Sequence, residues 1–202
     1  IDNRAYQLAY FALFMKARQY DRRILYKHLS LNLAVIEESN GLKRWDEVSG
    51  STAIGGEQLD FSSQYFETAN YLVDIFQDAK EYGSILNVEK GDYSGLEKFI
   101  LQMKEQGTTG NLLLDGWLNE IYDRMPKLIK QADLLSSVYD VVITNPPYLG
   151  SSRFSDSLSA YVKKNYPAEK ADLSMVMLKK SMQSFSKKNG FISFIFLENL
   201  KF

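Results

Sequence analysis

Four consecutive residues, Asn145-Pro146-Pro147-Tyr148, carry the chemistry that is easiest to name in this sequence. Two successive prolines fix two φ angles and remove two N–H donors, so the turn they build is rigid and displays carbonyl oxygens. Beside them stand a side-chain amide and an aromatic ring. A rigid row of acceptors suits a planar amino group conjugated into a ring, whose nitrogen is a poor nucleophile because its lone pair is delocalised. Hydrogen bonds from its two N–H groups to the Asn145 side-chain oxygen and the Pro146 carbonyl would draw the nitrogen toward tetrahedral geometry. The lone pair would then be free for in-line attack on a methyl group. Such a site works by positioning and electrostatics rather than acid–base catalysis, and it needs no His or Cys. Tyr148 would stack on the face of the acceptor ring. The ordinary alternative is a proline turn after a strand. At average residue frequencies Asn-Pro-Pro-aromatic arises by chance in on the order of one chain in a thousand of this size.

The residues before the turn decide between these readings. Tyr139-Asp-Val-Val-Ile143 has the β-branched, apolar character of a strand, and ligands bind at the C-terminal ends of strands in open α/β sheets. Downstream, Leu173, Val176, Met177, Met182 and Phe185 predict a helix that Asn189-Gly190 ends. Phe191 to Leu197 then predicts a second strand, apolar on both faces as inside a parallel sheet. Strand, helix and parallel strand make a βαβ unit. At the other end, Tyr6, Leu8, Ala9, Phe11, Ala12 and Met15 predict an amphipathic helix from Asn3 to about Arg18, with Asp2 or Asn3 as its cap. Leu33-Ala-Val-Ile36 reads as a buried strand closed by Glu37-Glu-Ser-Asn-Gly41.

Between these parts helical spacing dominates, and no strong strand appears. Tyr65, Phe66, Ala69, Leu72, Val73, Phe76 and Ala79 predict one helix from Phe61 to Tyr82, stopped at Gly83. Ser94-Gly-Leu-Glu97 has the spacing of a capping box and opens a helix ending near Gly107. A further helix after Asn111 carries Trp117, Ile121 and Leu128, with Pro126 expected to kink or split it. The expected division is therefore 1–41, the first part of an α/β domain; 42–137, a helical insertion; and 138–202, the continuation that holds the Asn-Pro-Pro-Tyr turn.

The segment Tyr139-Asp-Val-Val-Ile-Thr-Asn-Pro-Pro-Tyr148 resembles motif IV of the amino-group DNA methyltransferases. Asn165-Tyr-Pro-Ala-Glu-Lys-Ala-Asp-Leu173, the long insertion and Glu38-Ser-Asn40 resemble the large single-chain adenine methyltransferases of restriction–modification and the BREX-type PglX enzymes. The resemblance implies an α/β, Rossmann-like S-adenosylmethionine-dependent methyltransferase fold, partial here, with a helical insertion. It implies methyl transfer from S-adenosyl-L-methionine to adenine N6 in double-stranded DNA whose target base is flipped out. Asn145, Pro146, Pro147 and Tyr148 would be the catalytic residues. Ile1-Asp-Asn-Arg-Ala5 resembles the end of the family's second strand, which makes Ile1 the contact to the cofactor's adenine, with Asp2 beside it. The ribose-binding acid and the glycine-rich cofactor loop would lie upstream, and both chain ends are expected to be cut. Glu38, at the end of the family's third strand, would meet the cofactor's adenine amino group; a solvated acidic turn accounts for it equally well.

Composition narrows the field further. The 202 residues are 45% hydrophobic and carry 24 Lys plus Arg against 25 Asp plus Glu. The chain can therefore bury a core but has no global positive field to announce a nucleic acid. With no cysteine and one histidine, thiol nucleophiles, disulfides and Cys/His metal sites fall away, and the cytoplasm is the expected compartment. No apolar run is long enough to span a membrane. Lys163, Lys164, Lys170, Lys179, Lys180, Lys187 and Lys188 could meet phosphates, although a solvated helix face is the commoner cause of such clustering. Asp172 is expected to cap a helix, His28 to be structural or exposed, and Trp45 and Trp117 to be core. Asn-Pro-Pro-Tyr also suits methyl transfer to an RNA base or a protein glutamine amide, and the fold alone could serve as a noncatalytic DNA-binding or scaffold module. Defence-system proteins are expected as further partners.

Overall fold

The computed structural model describes residues 3–27, 29, 31–48, 53–54, 57–58 and 64–196. The chain divides into two compact units: Ile1–Gln77 with Tyr93–Leu134, and Asp78–Asp92 with Leu135–Phe202.

The first unit is helical. Helix α1 spans Asn3–Arg18, as its apolar spacing predicts, and Lys16 and Arg18 in its last turn complement the helix dipole. The core forms among α2 (Trp45–Val48), α3 (Gln64–Ile75), α5 (Tyr93–Glu105) and α6 (Leu112–Ser136). Trp45 is fully buried, and its ring meets Phe66 edge-on at 4.9 Å and Trp117 at 4.8 Å, the geometry that aromatic quadrupoles favour. Both tryptophans are core residues, as expected. A two-residue antiparallel pair, β1 (Ala53–Ile54) with β2 (Glu57–Gln58), lies between α2 and α3; its strands are too short to leave a periodic signal.

Three expectations for this region need correction. Leu33–Ile36 is irregular rather than a strand: the segment is half-buried, but the groups just after it bond to helices. Glu37 N–H donates to Gln131 Oε1 at 2.7 Å, and Ser39 N–H donates to the Phe76 carbonyl at 3.0 Å. A short apolar run records burial, which a β-ladder and a helix surface supply equally. Helix α5 starts at Tyr93, which places Ser94 inside the first turn instead of at a capping-box N-cap. Helix α6 runs unbroken through Pro126. The buried Met125, Leu128 and Ile129 support it on both sides of the proline, and such tertiary packing overrides a local preference.

The long helix expected over Phe61–Tyr82 is two pieces, α3 and then α4 (Ala79–Tyr82). Asp78 adopts a left-handed conformation with φ 50, which ends the helical path. Phe76 and Ala79 are both fully buried, so the apolar spacing runs through the break and hides it.

The second unit holds the sheet. Strand β3 (Tyr139–Thr144) pairs in parallel with β4 (Ser186–Phe194), and between them lie α7 (Asp156–Asn165) and α8 (Leu173–Lys180). Ser155 caps α7 by accepting from Leu158 N–H, and Asp172 caps α8 by accepting from Ser174 N–H; each satisfies a donor that the first turn leaves open. The core is Ile85, Leu158, Val162, Tyr166 and Val176, with Leu149, Tyr161 and Leu173 packed against it.

The helix before β4 ends earlier than expected. A π turn, Ser181–Phe185, follows α8, and its wider winding takes its own residues off the helix's apolar face. Met182 is accordingly 60% exposed instead of continuing the stripe. Asn189-Gly190 lies inside β4. Tyr139 pairs with Ser186 and Val141 with Phe191, so Lys187–Gly190 stands opposite Asp140 alone, in a bulge. A Cβ on Gly190 would overlap Ser186 Oγ and sit 3.0 Å from the Asp140 carbonyl, which is why glycine occurs there. The strands are also not covered on both faces: Ile143 is 76% and Phe191 75% exposed. The fold is therefore mixed helix and strand, built on a two-stranded parallel sheet.

Candidate active site

The Asn145-Pro-Pro-Tyr148 turn leaves the sheet where β3 ends at Thr144. Because β3 and β4 are parallel, their C-terminal ends lie side by side, and Ile195 N–H donates to the Thr144 carbonyl at 3.3 Å. Asn145 and Pro147 are exposed, Pro146 is buried, and Tyr148 is half-buried. Among the described residues no hydrogen bond engages the Pro146 carbonyl, so neither lone pair of this backbone acceptor is taken.

The turn is fastened at both ends. The Tyr148 hydroxyl donates to the Ile195 carbonyl at 2.7 Å and lies 3.0 Å from Asn145 Oδ1. Past the turn, Leu173 N–H donates to the Leu149 carbonyl and Ser151 N–H to the Ala171 carbonyl, both at 2.9 Å, as Gly150 and Asp172 form an antiparallel bridge. Asp172 Oδ1 also accepts from Ser174 N–H at 2.8 Å and from Ser174 Oγ at 2.5 Å. Asp172 is thus a helix cap whose strand-like backbone clamps the turn, and its Oδ1 is occupied by Ser174. A turn held in this way keeps its acceptors at fixed positions without reorganising, which is the requirement for electrostatic preorganisation.

The other candidates separate. Ile1, Asp2 and His28 lie outside the described residues. Glu38 is half-buried, and its carbonyl and that of Asn40 accept from Arg124 Nη2 at 2.8 and 3.0 Å. Gln131 Nε2 donates to the Glu37 carbonyl at 2.9 Å, and Ser39 Oγ to the Val73 carbonyl at 2.5 Å. Arg124 and Gln131, two turns apart on α6, therefore fix the acidic segment. Sequence reasoning missed both, although two polar residues at a seven-residue spacing within an apolar stripe were the available signal.

The lysines do not act as one patch. Lys163, Lys164, Lys170 and Lys188 are exposed. Lys187 pairs with Asp140 at 2.8 Å and holds that carboxyl below its usual range, while Lys179 lies 3.7 Å from Glu169. Lys180 is buried, its Nζ donates to Asn87 Oδ1 at 2.9 Å, and its pKa is pushed down to about 8, because burial disfavours the charged amine. The buried Tyr166 hydroxyl lies 2.8 Å from the Ile85 carbonyl and 2.9 Å from Asn87 Oδ1, and burial raises that phenol's pKa. Among the described residues no cluster of His, Asp and Glu could hold a metal, and no helix is long and apolar enough to cross a membrane.

Comparison with known proteins identifies a family. The family described as Eco57I restriction-modification methylase matches residues 1–201. The chain is 30% identical over 204 residues to the adenine-specific methyltransferase BrxX of Escherichia coli O9:H4 (strain HS), covering 95% of this chain and 16% of that protein. It is 32% identical over 197 residues to the adenine-specific methyltransferase PglX of Lacticaseibacillus casei (strain Zhang), covering 96% of this chain and 15% of that protein. The chain thus spans about one sixth of the length of these relatives.

Proposed function

Because the chain belongs to the Eco57I restriction-modification methylase family, we propose that it is part of the catalytic domain of an S-adenosylmethionine-dependent methyltransferase acting on adenine N6 in DNA, in restriction–modification or phage defence. The observation that carries this reading is the fastened turn at the C-terminal end of β3, with an exposed amide at Asn145 and an unengaged carbonyl at Pro146. These two oxygens would each accept one N–H of the adenine amino group. Pro147 fixes the turn, and the Tyr148 ring would stack on the flipped base. The proton released on methyl transfer would leave from the amino nitrogen past these acceptors to water, since no nearby base is required.

S-adenosylmethionine, when bound, supplies an electrophilic sulfonium methyl. The residues present fit a role in holding it: Glu38 offers a carboxylate on a segment whose backbone Arg124 pins, suited to an adenine amino group, and Ile1 and Asp2 would complete the contact. On this reading residues 42–137 are a helical insertion between 1–41 and 138–202, two parts of one methyltransferase domain. The exposed Lys163, Lys164, Lys170 and Lys188 would add to attraction for DNA phosphates.

The test is transfer of labelled methyl groups from S-adenosylmethionine by the parent-length polypeptide, offered DNA, RNA and protein, with Asn145→Ala as control. Label on DNA adenine that vanishes in the variant is the expected result. Label on RNA or on a protein amide would keep the chemistry and replace the substrate, while no label on any acceptor would replace the enzyme by a binding module.

A further inference from the structure

The Tyr148 hydroxyl makes two contacts that base stacking does not explain. We propose that this phenol is a positioning group for Asn145: it selects the amide orientation that turns Oδ1 outward to accept from the substrate amino group. The inference rests on the reading given above.

A phenol has one proton to donate. Tyr148 Oη nonetheless lies 2.7 Å from the Ile195 carbonyl and 3.0 Å from Asn145 Oδ1, so that as placed one proton faces two acceptors. A carbonyl can only accept, so at the shorter distance Ile195 takes the proton. An amide can present either end. The phenol oxygen keeps lone pairs, and the pair of contacts is satisfied when Asn145 turns its NH2 group toward Tyr148 and Oδ1 away. The opposite orientation sets two oxygens against each other around a proton already engaged, and it points two N–H donors at a substrate that itself offers only donors there. Asn145 is exposed and has no other hydrogen-bond partner among the described residues, so Tyr148 is the group able to choose between the orientations.

The surroundings hold the selector still. Pro146 is buried, Leu149 packs against the Ile85–Val176 core, and Ile195 is tied by its own N–H to Thr144. The phenol is therefore referenced to both strands at once, and the amide is referenced to the phenol. Removing the hydroxyl leaves the ring and takes away both the tie to the Ile195 carbonyl and the choice of orientation, while the Gly150–Asp172 bridge still holds the far end of the turn.

The experiment compares wild type, Tyr148→Phe, Asn145→Asp and the double variant of the full-length polypeptide, in steady-state and single-turnover methyl transfer to DNA and in binding to DNA carrying 2-aminopurine at the target position. Tyr148→Phe is expected to lower kcat by about 5- to 20-fold, the loss of one oriented hydrogen bond, with KM for DNA and the flipping signal within about twofold because the ring remains. A carboxylate has two equivalent oxygens and no NH2 to orient, so adding Tyr148→Phe to Asn145→Asp is expected to cause no further fall. An unchanged kcat in Tyr148→Phe overturns the proposal, and so does an equal fall in both backgrounds or a fall in flipping that accounts for the loss. A wild-type protein that transfers no methyl group to DNA adenine instead overturns the reading on which the proposal stands.

Discussion

The two units of this chain put their apolar residues to different uses. In the first, Trp45, Phe66, Phe76, Leu118, Ile121 and Met125 are buried with 4% exposure or less, and the polar groups that reach inside, such as Ser39 and Gln131, bond to backbone. In the second, the core is a smaller cluster around Val162 and Val176, and the strands carry Ile143 and Phe191 largely in the open. The unit with the exposed sheet carries Asn145 and Pro146, just past the end of β3. On the proposed reading, stability and chemistry fall to different residues. Substitutions can separate them.

The sharpest separation is expected from Asn145→Ala, which should reduce methyl transfer by about 10²- to 10³-fold, the scale of removing one preorganised group from a transition state. Its circular dichroism and urea midpoint should match the wild type, because Asn145 is exposed; a shifted midpoint would show that the residue holds the fold. Trp45→Ala is the opposite case, since its fully buried indole meets Phe66 and Trp117. Emptying that site should cost about 3–5 kcal/mol in urea melts. A cost under about 1 kcal/mol would show that the first unit's core is not close-packed.

Smaller effects sharpen the comparison within the second unit. Lys180 is buried and its pKa is lowered to about 8 from 10.5, so the folded state binds fewer protons than the unfolded state between those values. Stability should therefore rise as pH increases from about 8 to 10.5, and near neutrality the charged amine is a burden. Lys180→Met should raise stability at pH 7 by about 1–3 kcal/mol and flatten that slope. A pH-independent wild type would show that water reaches the amine. Gly190→Ala should cost about 1–3 kcal/mol, the scale of forcing an extra carbon into a filled site. Ser186 Oγ can rotate away, but the Tyr139 and Asp140 carbonyls must yield. A neutral result would mean that the bulge opens freely.

What the residues revealed beforehand follows physical range. Helix α1 and strand β3 were legible because each has its own period, and the acceptor turn because two prolines dictate a local shape wherever they fall. The α3–α4 break was hidden by apolar spacing that runs through it, and the irregular Leu33–Ile36 segment by a run that reports burial without naming the partner. Arg124 and Gln131 went unnoticed as well: their partners are backbone groups more than eighty residues away, and a carbonyl leaves no mark in a sequence.

By itself, then, the sequence determined the chemistry on offer: an amide, a proline carbonyl and an aromatic ring in a rigid turn after an apolar strand, all of them local properties of neighbouring residues. Only the tertiary structure decided how that turn is held. It placed the Ile195 carbonyl against the Tyr148 hydroxyl, bridged Gly150 to Asp172, and committed the Asp172 carboxylate to a helix cap, because hydrogen bonds between distant segments depend on where the fold brings backbone groups together.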